Sequence, residues 1–237
     1  MVGTEVAGLH FGDVAAYLAD PHLGAHALHG PRQVQRFFTR DAQQMKCQTL
    51  GRLVADPWKP QTHRAAAKIK EWYGRPARIF SSYQDLLALD DLDAVMIASC
   101  DHQHTAHLEA TAQAGKHVYC EKPLAMDMEK LKRACDAVKK AGVVCQIGTQ
   151  VRSYPTSTGC RELFRTGVLG KVSRIEQCRN GTRPYWYSRL NMDVKPGDVD
   201  WKEFLMDRPM EPFRADRFTG WYGYRAFSDG PIPGLAS

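Results

Sequence analysis

A chain of 237 residues, 43% hydrophobic and 24% charged, with a mean hydropathy of -0.43, has the make-up of a soluble globular protein with one large or two small domains. No apolar run approaches the roughly 18 residues of a membrane span, and MVGTEVAGLHFGDV lacks a basic region followed by an apolar one, which excludes the membrane and export classes. The formal charge of +6 is concentrated in residues 151–237, with 14 basic against 10 acidic residues, as arginines interleaved with aromatics rather than a basic block, so no nucleic-acid partner is expected.

In chain order, Asp13 to Leu18 reads as a helix and Gly24 to Leu28 as a poor strand, while Gln33 to Pro60 carries no clear period. From Arg64 the pattern alternates. Arg64 to Trp72 predicts a helix stopped by Gly74 and Pro76, Arg78 to Phe80 a short strand, and Ser82 to Leu89 a helix. Asp93 to Ala98 predicts an apolar strand, His104 to Ala114 a helix closed by Gly115, and His117 to Cys120 a strand. A long helix follows from Asp127 to Ala141, capped by Asp127 and ended by Gly142, then a strand from Val143 to Ile147. Apolar strands alternating with helices of this length indicate a parallel sheet with crossover helices. Residues 157–167 predict a further helix, and Lys171 to Cys178 a strand with one wet face. A domain boundary is placed near Gln150, giving units 1–150 and 151–237.

The seven cysteines (Cys47, Cys100, Cys120, Cys135, Cys145, Cys160 and Cys178) are odd in number and contain no C-x-x-C pair. They point to free thiols in a reducing, cytoplasmic setting rather than a disulfide framework or a zinc knuckle.

In a parallel α/β sheet, ligands bind outside the carboxyl ends of the strands. Three such ends are readable: Ser99-Cys100-Asp101-His102, Glu121-Lys122-Pro123 and Gly148-Thr149-Gln150. Pro123 forces Lys122 out of helical geometry into an extended or cis turn, where partial desolvation would suit its amine to proton transfer. The competing reading of Glu121 and Lys122 is a surface ion pair at a strand end.

The run AGKHVYCEKPLAMDMEKLKRACDAVKKAGVVCQIGTQVR (Ala114 to Arg152), with DAVMIASCDHQHTAHLEATAQAGK before it and RELFRTGVLGKVSRIEQ after it, resembles the glucose–fructose oxidoreductase and inositol 2-dehydrogenase (Gfo/Idh/MocA) family. The resemblance covers roughly residues 62–180, and DVDWKEFL to FSDGPIPGL more loosely. It implies an α/β protein: an incomplete Rossmann-like doubly wound parallel sheet binding NAD or NADP, followed by a truncated α+β open-sheet domain presenting a sugar or polyol substrate. Homo-oligomerisation through that second domain is also expected.

Carried over residue by residue, the resemblance makes Lys122 the catalytic residue, bonding the reacting hydroxyl and the nicotinamide region. Glu121 would lie beside the cofactor ribose, Ser99, Asp101 and His104 would line the cofactor crevice, and Gln150 and Arg152 would face the substrate.

His102, His104 and His107 have a spacing similar to the metallo-β-lactamase-like H-x-H-x-D-H, with Ala106 in the Asp position and no histidine beyond His117. A zinc hydrolase needs three or four converging ligands. Histidines opening a helix beside a ligand crevice are the simpler reading, and no metal site is expected. The 11 aromatics from Tyr185 to Phe227 either stack on a sugar or fill a core, and the core is the expected use.

Two family features are expected to be missing. Gly3, Gly8 and Gly12 do not make the G-x-G-x-x-G turn that lets a pyrophosphate approach the backbone. If DVAAYLADPHLGAHALHG supplies the family's first helix and second strand, that strand ends at His29, where an acidic residue would hold the ribose hydroxyls. At the other end, GPIPGLAS stands where the family continues into a helix carrying the Asp and the general-base His. The expectations are therefore two: an NAD(P)-dependent oxidoreductase, or a truncated, catalytically silent relative that acts by binding.

Overall fold

The computed structural model describes residues 53–176 and 192–236. Two parallel sheets carry the architecture. The first pairs β1 (Leu53–Ala55) with β2 (Arg78–Phe80) across α1 (Lys59–Tyr73). The second has the order β3 (Ala94–Ile97), β4 (His117–Glu121), β5 (Cys145–Gly148), with α3 (His104–Gln113) and α4 (Met128–Ala141) as crossovers. The short α2 (Tyr83–Leu87) joins them: Leu86 and Leu87 pack with Leu53, Ala55 and Phe80 of the first sheet and Val95 of the second.

Local chemistry accounts for the boundaries. Ser82 and Asp127 accept backbone N–H bonds from Gln84 (3.1 Å) and Lys130 (2.8 Å), the N-cap contacts that start α2 and α4. Gly142, at φ 65°, ends α4 in the left-handed conformation that an L side chain resists. The apolar faces of β3, β4 and β5 bury Ile97, Val118 and Cys120 against Leu108 of α3 and Ala134 of α4. Parallel pairing sets Ile97 opposite Cys120 and Glu121 opposite Gly148, so all three strands end on one edge.

Past β5 come α5 (Pro155–Arg165), α6 (Trp201–Leu205), α7 (Ala215–Thr219) and α8 (Pro231–Ala236). Residues 192–234 lie against the strand-end side of the molecule. Asp200 N–H donates to the Pro57 carbonyl (2.7 Å), His102 N–H to the Phe227 carbonyl (3.2 Å), and Val199 forms an antiparallel bridge with Trp58. Their aromatics are core: Phe204, Leu205 and Phe227 are buried, with Trp201, Phe218, Trp221 and Tyr224 packed around them. By contrast Leu163, Phe164, Val168, Leu169 and Ile175, in and after α5, are exposed. No helix among the described residues is long and apolar enough to cross a membrane.

Three elements differ from the sequence expectation. Helix α1 starts at Lys59 rather than Arg64, because Pro60 in the first turn has no N–H to lose and a pre-set φ. Strand β1 lies inside the stretch without a clear period. Residues 171–176 are exposed and belong to no strand, while 177 and 178 lie outside the described residues. The helix and strand expected at Asp13 to Leu18 and Gly24 to Leu28, the glycines of the N-terminal segment, His29, and Tyr185 to Tyr187 also lie outside the described residues.

Candidate active site at the strand ends

The loop after β3 is built from buried polar side chains, each with a partner. Ser99 Oγ lies 3.0 Å from His107 Nδ1, and the His107 ring packs against Tyr83 with ring centres 4.4 Å apart. Asp101 is 4% exposed and accepts a bond from Ser228 Oγ at 2.6 Å. Burial pushes its carboxyl up to about 6, against the lowering effects of the Ser228 bond and the Lys122 charge. His104, 1% exposed, reaches the Pro123 carbonyl with Nδ1 (2.7 Å) and the Ser99 carbonyl with Nε2 (2.9 Å). Burial lowers its pKa, so the neutral ring donates to one carbonyl at a time. His104 thus ties the end of β3 to the end of β4.

His102 turns the other way. Its Nε2 lies 2.8 Å from the Phe204 carbonyl, and Gln103 Nε2 donates to the same oxygen at 3.0 Å. These two side chains anchor the 200–228 segment. Burial holds His102 down to about 4 and His107 down to about 3. The three histidines of the H-x-H-x-x-H spacing are therefore neutral and engaged with different partners. Among the described residues no group of three or more His, Cys, Asp or Glu side chains converges on a metal position.

At the end of β4, Glu121 leaves the sheet with its carboxylate between two donors. Tyr119 Oη donates to Oε1 and the Lys122 backbone N–H to Oε2, both at 3.3 Å. The Lys122–Pro123 peptide is cis, one of the two geometries expected of the turn, and Lys122 Nζ donates to the Gly234 carbonyl. At the end of β5, Gly148 is buried, Gln150 opens a 3-10 turn (Gln150–Ser153), and Arg152 is exposed. The arrangement brings Ser99, Asp101, Glu121 and Lys122 to adjacent strand ends, with Gln150 and Arg152 on the next loop. His104 sits beneath them as a strut.

Asp56 was not among the residues singled out by sequence. It follows β1 directly, with Oδ1 accepting the Trp58 N–H at 2.8 Å, and burial pushes its carboxyl up to about 7 despite that bond and the Arg64 charge. The available signal was an apolar triplet, Leu53-Val54-Ala55, running straight into an acid and a proline. An acid in that place is the type that holds ribose hydroxyls in nucleotide-binding sheets.

A cleft of about 640 Å³ lies elsewhere, lined by Tyr83, Thr105, Glu109, Arg133 and Glu203 among others. Four of its charges pair with one another, Lys130 with Asp207 and Arg133 with Glu109, and none of the strand-end residues lines it.

The chain has relatives among known proteins. It is 28% identical over 145 residues to the myo-inositol 2-dehydrogenase of Thermotoga maritima, covering 59% of this chain and 43% of that one. It is 33% identical over 167 residues to the 1,5-anhydro-D-fructose reductase of Ensifer adhaerens, covering 65% and 50%. Among solved structures, the WlbA dehydrogenase of Bordetella pertussis in complex with NADH and UDP-GlcNAcA is 31% identical, with a TM-score of 0.43 over 50% of this chain and 33% of that one. The chain thus spans half or less of the length of these relatives. The Gfo/Idh/MocA family model, described as an oxidoreductase family with an NAD-binding Rossmann fold, matches residues 28–149. That match takes in β1 to β5, the first two strand ends and the third as far as Thr149, over more than half of the sequence, and the chain belongs to this NAD-binding oxidoreductase family.

Proposed function

We propose that the strand-end crevice binds NAD(P) and serves hydride transfer between the nicotinamide and a sugar- or polyol-like alcohol. The observation that carries the reading is the convergence of Asp101, Glu121 and Lys122 on one edge of a parallel sheet, where such folds take their ligands. The donor set fits a dinucleotide. Carboxylates at two strand ends, Asp56 and Glu121, suit ribose hydroxyls, and Lys122 presents an amine beside them. The buried Asp101 and the small Ser99 leave polar atoms at the third end. The relatives, a myo-inositol 2-dehydrogenase and a 1,5-anhydro-D-fructose reductase by name, support an alcohol or carbonyl carbon on a ring as the reacting centre.

In this reading the nicotinamide supplies the hydride chemistry. The chain's own part is to bind and orient. Lys122 hydrogen-bonds the reacting hydroxyl oxygen, in exchange for the Gly234 carbonyl it now meets. Glu121 accepts from the nearby ribose, and Asp56 accepts from the distal ribose and favours NAD over NADP through its negative charge. Gln150 and Arg152 face the substrate.

The test is a fluorescence titration of the protein with NADH and NADPH. Saturable micromolar binding that weakens about tenfold or more in Glu121→Ala and in Lys122→Ala supports the reading. A folded protein that binds neither nucleotide overturns it, and leaves the chain a member that keeps the scaffold without cofactor chemistry.

A further inference from the structure

Gly148 stands in the last position of β5, opposite Glu121 in the parallel register. Glycine weakens a strand, because it costs more backbone entropy and brings no side chain to pack. Its backbone is not in the left-handed region, unlike that of Gly142, so conformation does not require glycine here. Space does. A Cβ built on Gly148 would lie 2.7 Å from Glu121 Oε1, 2.8 Å from its Cδ and 2.9 Å from Oε2, closer than such contacts are made. The Glu121 carboxylate therefore rests on the bare Cα of the neighbouring strand, with the Tyr119 hydroxyl on Oε1 and the Lys122 N–H on Oε2. What would have to yield to a methyl group is the far end of a flexible side chain, not the sheet.

We propose that Gly148 is a positioning residue: its missing side chain is the seat that fixes the Glu121 carboxylate at the crevice edge for the cofactor ribose. The part about the ribose rests on the function proposed above; the seat itself does not. Gly148→Ala leaves the fold in place and lifts the carboxylate off its seat, breaking its alignment with the Tyr119 and Lys122 donors. A hydrogen bond to a charged group is worth about tenfold in affinity or more. Gly148→Ala is therefore expected to weaken NADH binding by about that factor, approaching Glu121→Ala.

The experiment is a double-mutant cycle on Gly148→Ala, Glu121→Ala and the pair, read by NADH titration and by thermal unfolding without cofactor. The expected result is non-additivity in both readouts. The double variant binds NADH no worse than Glu121→Ala alone. In the melts, Gly148→Ala shifts Tm more favourably in the Glu121→Ala background, where the methyl group meets nothing, than in the wild type. Equal Tm shifts in the two backgrounds overturn the seat, whatever the cofactor does. Coupled Tm shifts with Gly148→Ala binding NADH as the wild type keep the seat and overturn its role toward the cofactor. A wild type that binds no NADH removes the function proposed above, and the seat is then decided by the melts alone.

Discussion

At the scale of single residues the site is defined by carboxyls that burial holds in protonated form to higher pH than usual. Asp101 titrates near 6 in the folded protein because burial outweighs the Ser228 bond and the Lys122 charge, against about 3.9 in an unfolded chain. The folded state then binds the proton more tightly, so stability falls as pH rises from about 4 through about 6. Asp101→Asn keeps an acceptor for Ser228 and removes the ionisation. It should melt higher than the wild type at pH 7.5, by the equivalent of about 1–3 kcal/mol, with the gain gone near pH 4. A gain of the same size at both pH values would contradict this. Asp56, pushed up to about 7, bears on stability with the same sign, so that stability falls as pH rises from about 4 through about 7, and it bears on binding as well. If its carboxylate accepts ribose hydroxyls, NADH affinity weakens as pH falls from 8 to 6, and Asp56→Asn flattens that profile and narrows the preference for NADH over NADPH.

At the scale of elements, the second sheet was legible because its signals were local and redundant. Strands β3, β4 and β5 are apolar runs, and α4 carries both an N-cap, Asp127, and a left-handed glycine, Gly142, at its ends. Strand β1 was not legible: three residues, two of them half-buried, give no period to read. Nor was the wet-faced strand at 171–178 found among its described residues, since alternation alone does not supply a partner strand. One element carries strain at its end. Met206, closing α6, has φ 53° and ψ -114°, a conformation that favours glycine. Met206→Gly should relieve about 1 kcal/mol or more of backbone strain, offset in part by the lost packing of a half-buried side chain. A melt that rises by a few degrees is the expected outcome.

For the whole molecule, what sequence reading could not give was how residues 192–234 meet the sheet. Their aromatics lack a period, and their packing partners, Trp58, Cys100 and His102, are about a hundred or more positions away in the chain. The strand-end residues, in contrast, were named from sequence because parallel topology puts every strand's carboxyl end on one edge. The two halves are joined through Phe204, which is 1% exposed, contacts the His102 ring edge-on at 5.3 Å, and lends its carbonyl to His102 and Gln103. Phe204→Ala should cost about 3–5 kcal/mol and loosen the loop after β3, seen as faster amide hydrogen exchange at residues 101–104 than elsewhere in the sheet.

The central claim is that the three strand ends form one nicotinamide-nucleotide site, and backbone amide NMR during NADH addition tests it most directly. The account predicts that amides of residues 99–103, 121–122 and 148–152 shift together with one dissociation constant, while those of α5 stay in place. Shifts confined to the cleft around Tyr83 and Arg133, or none at all, would contradict it.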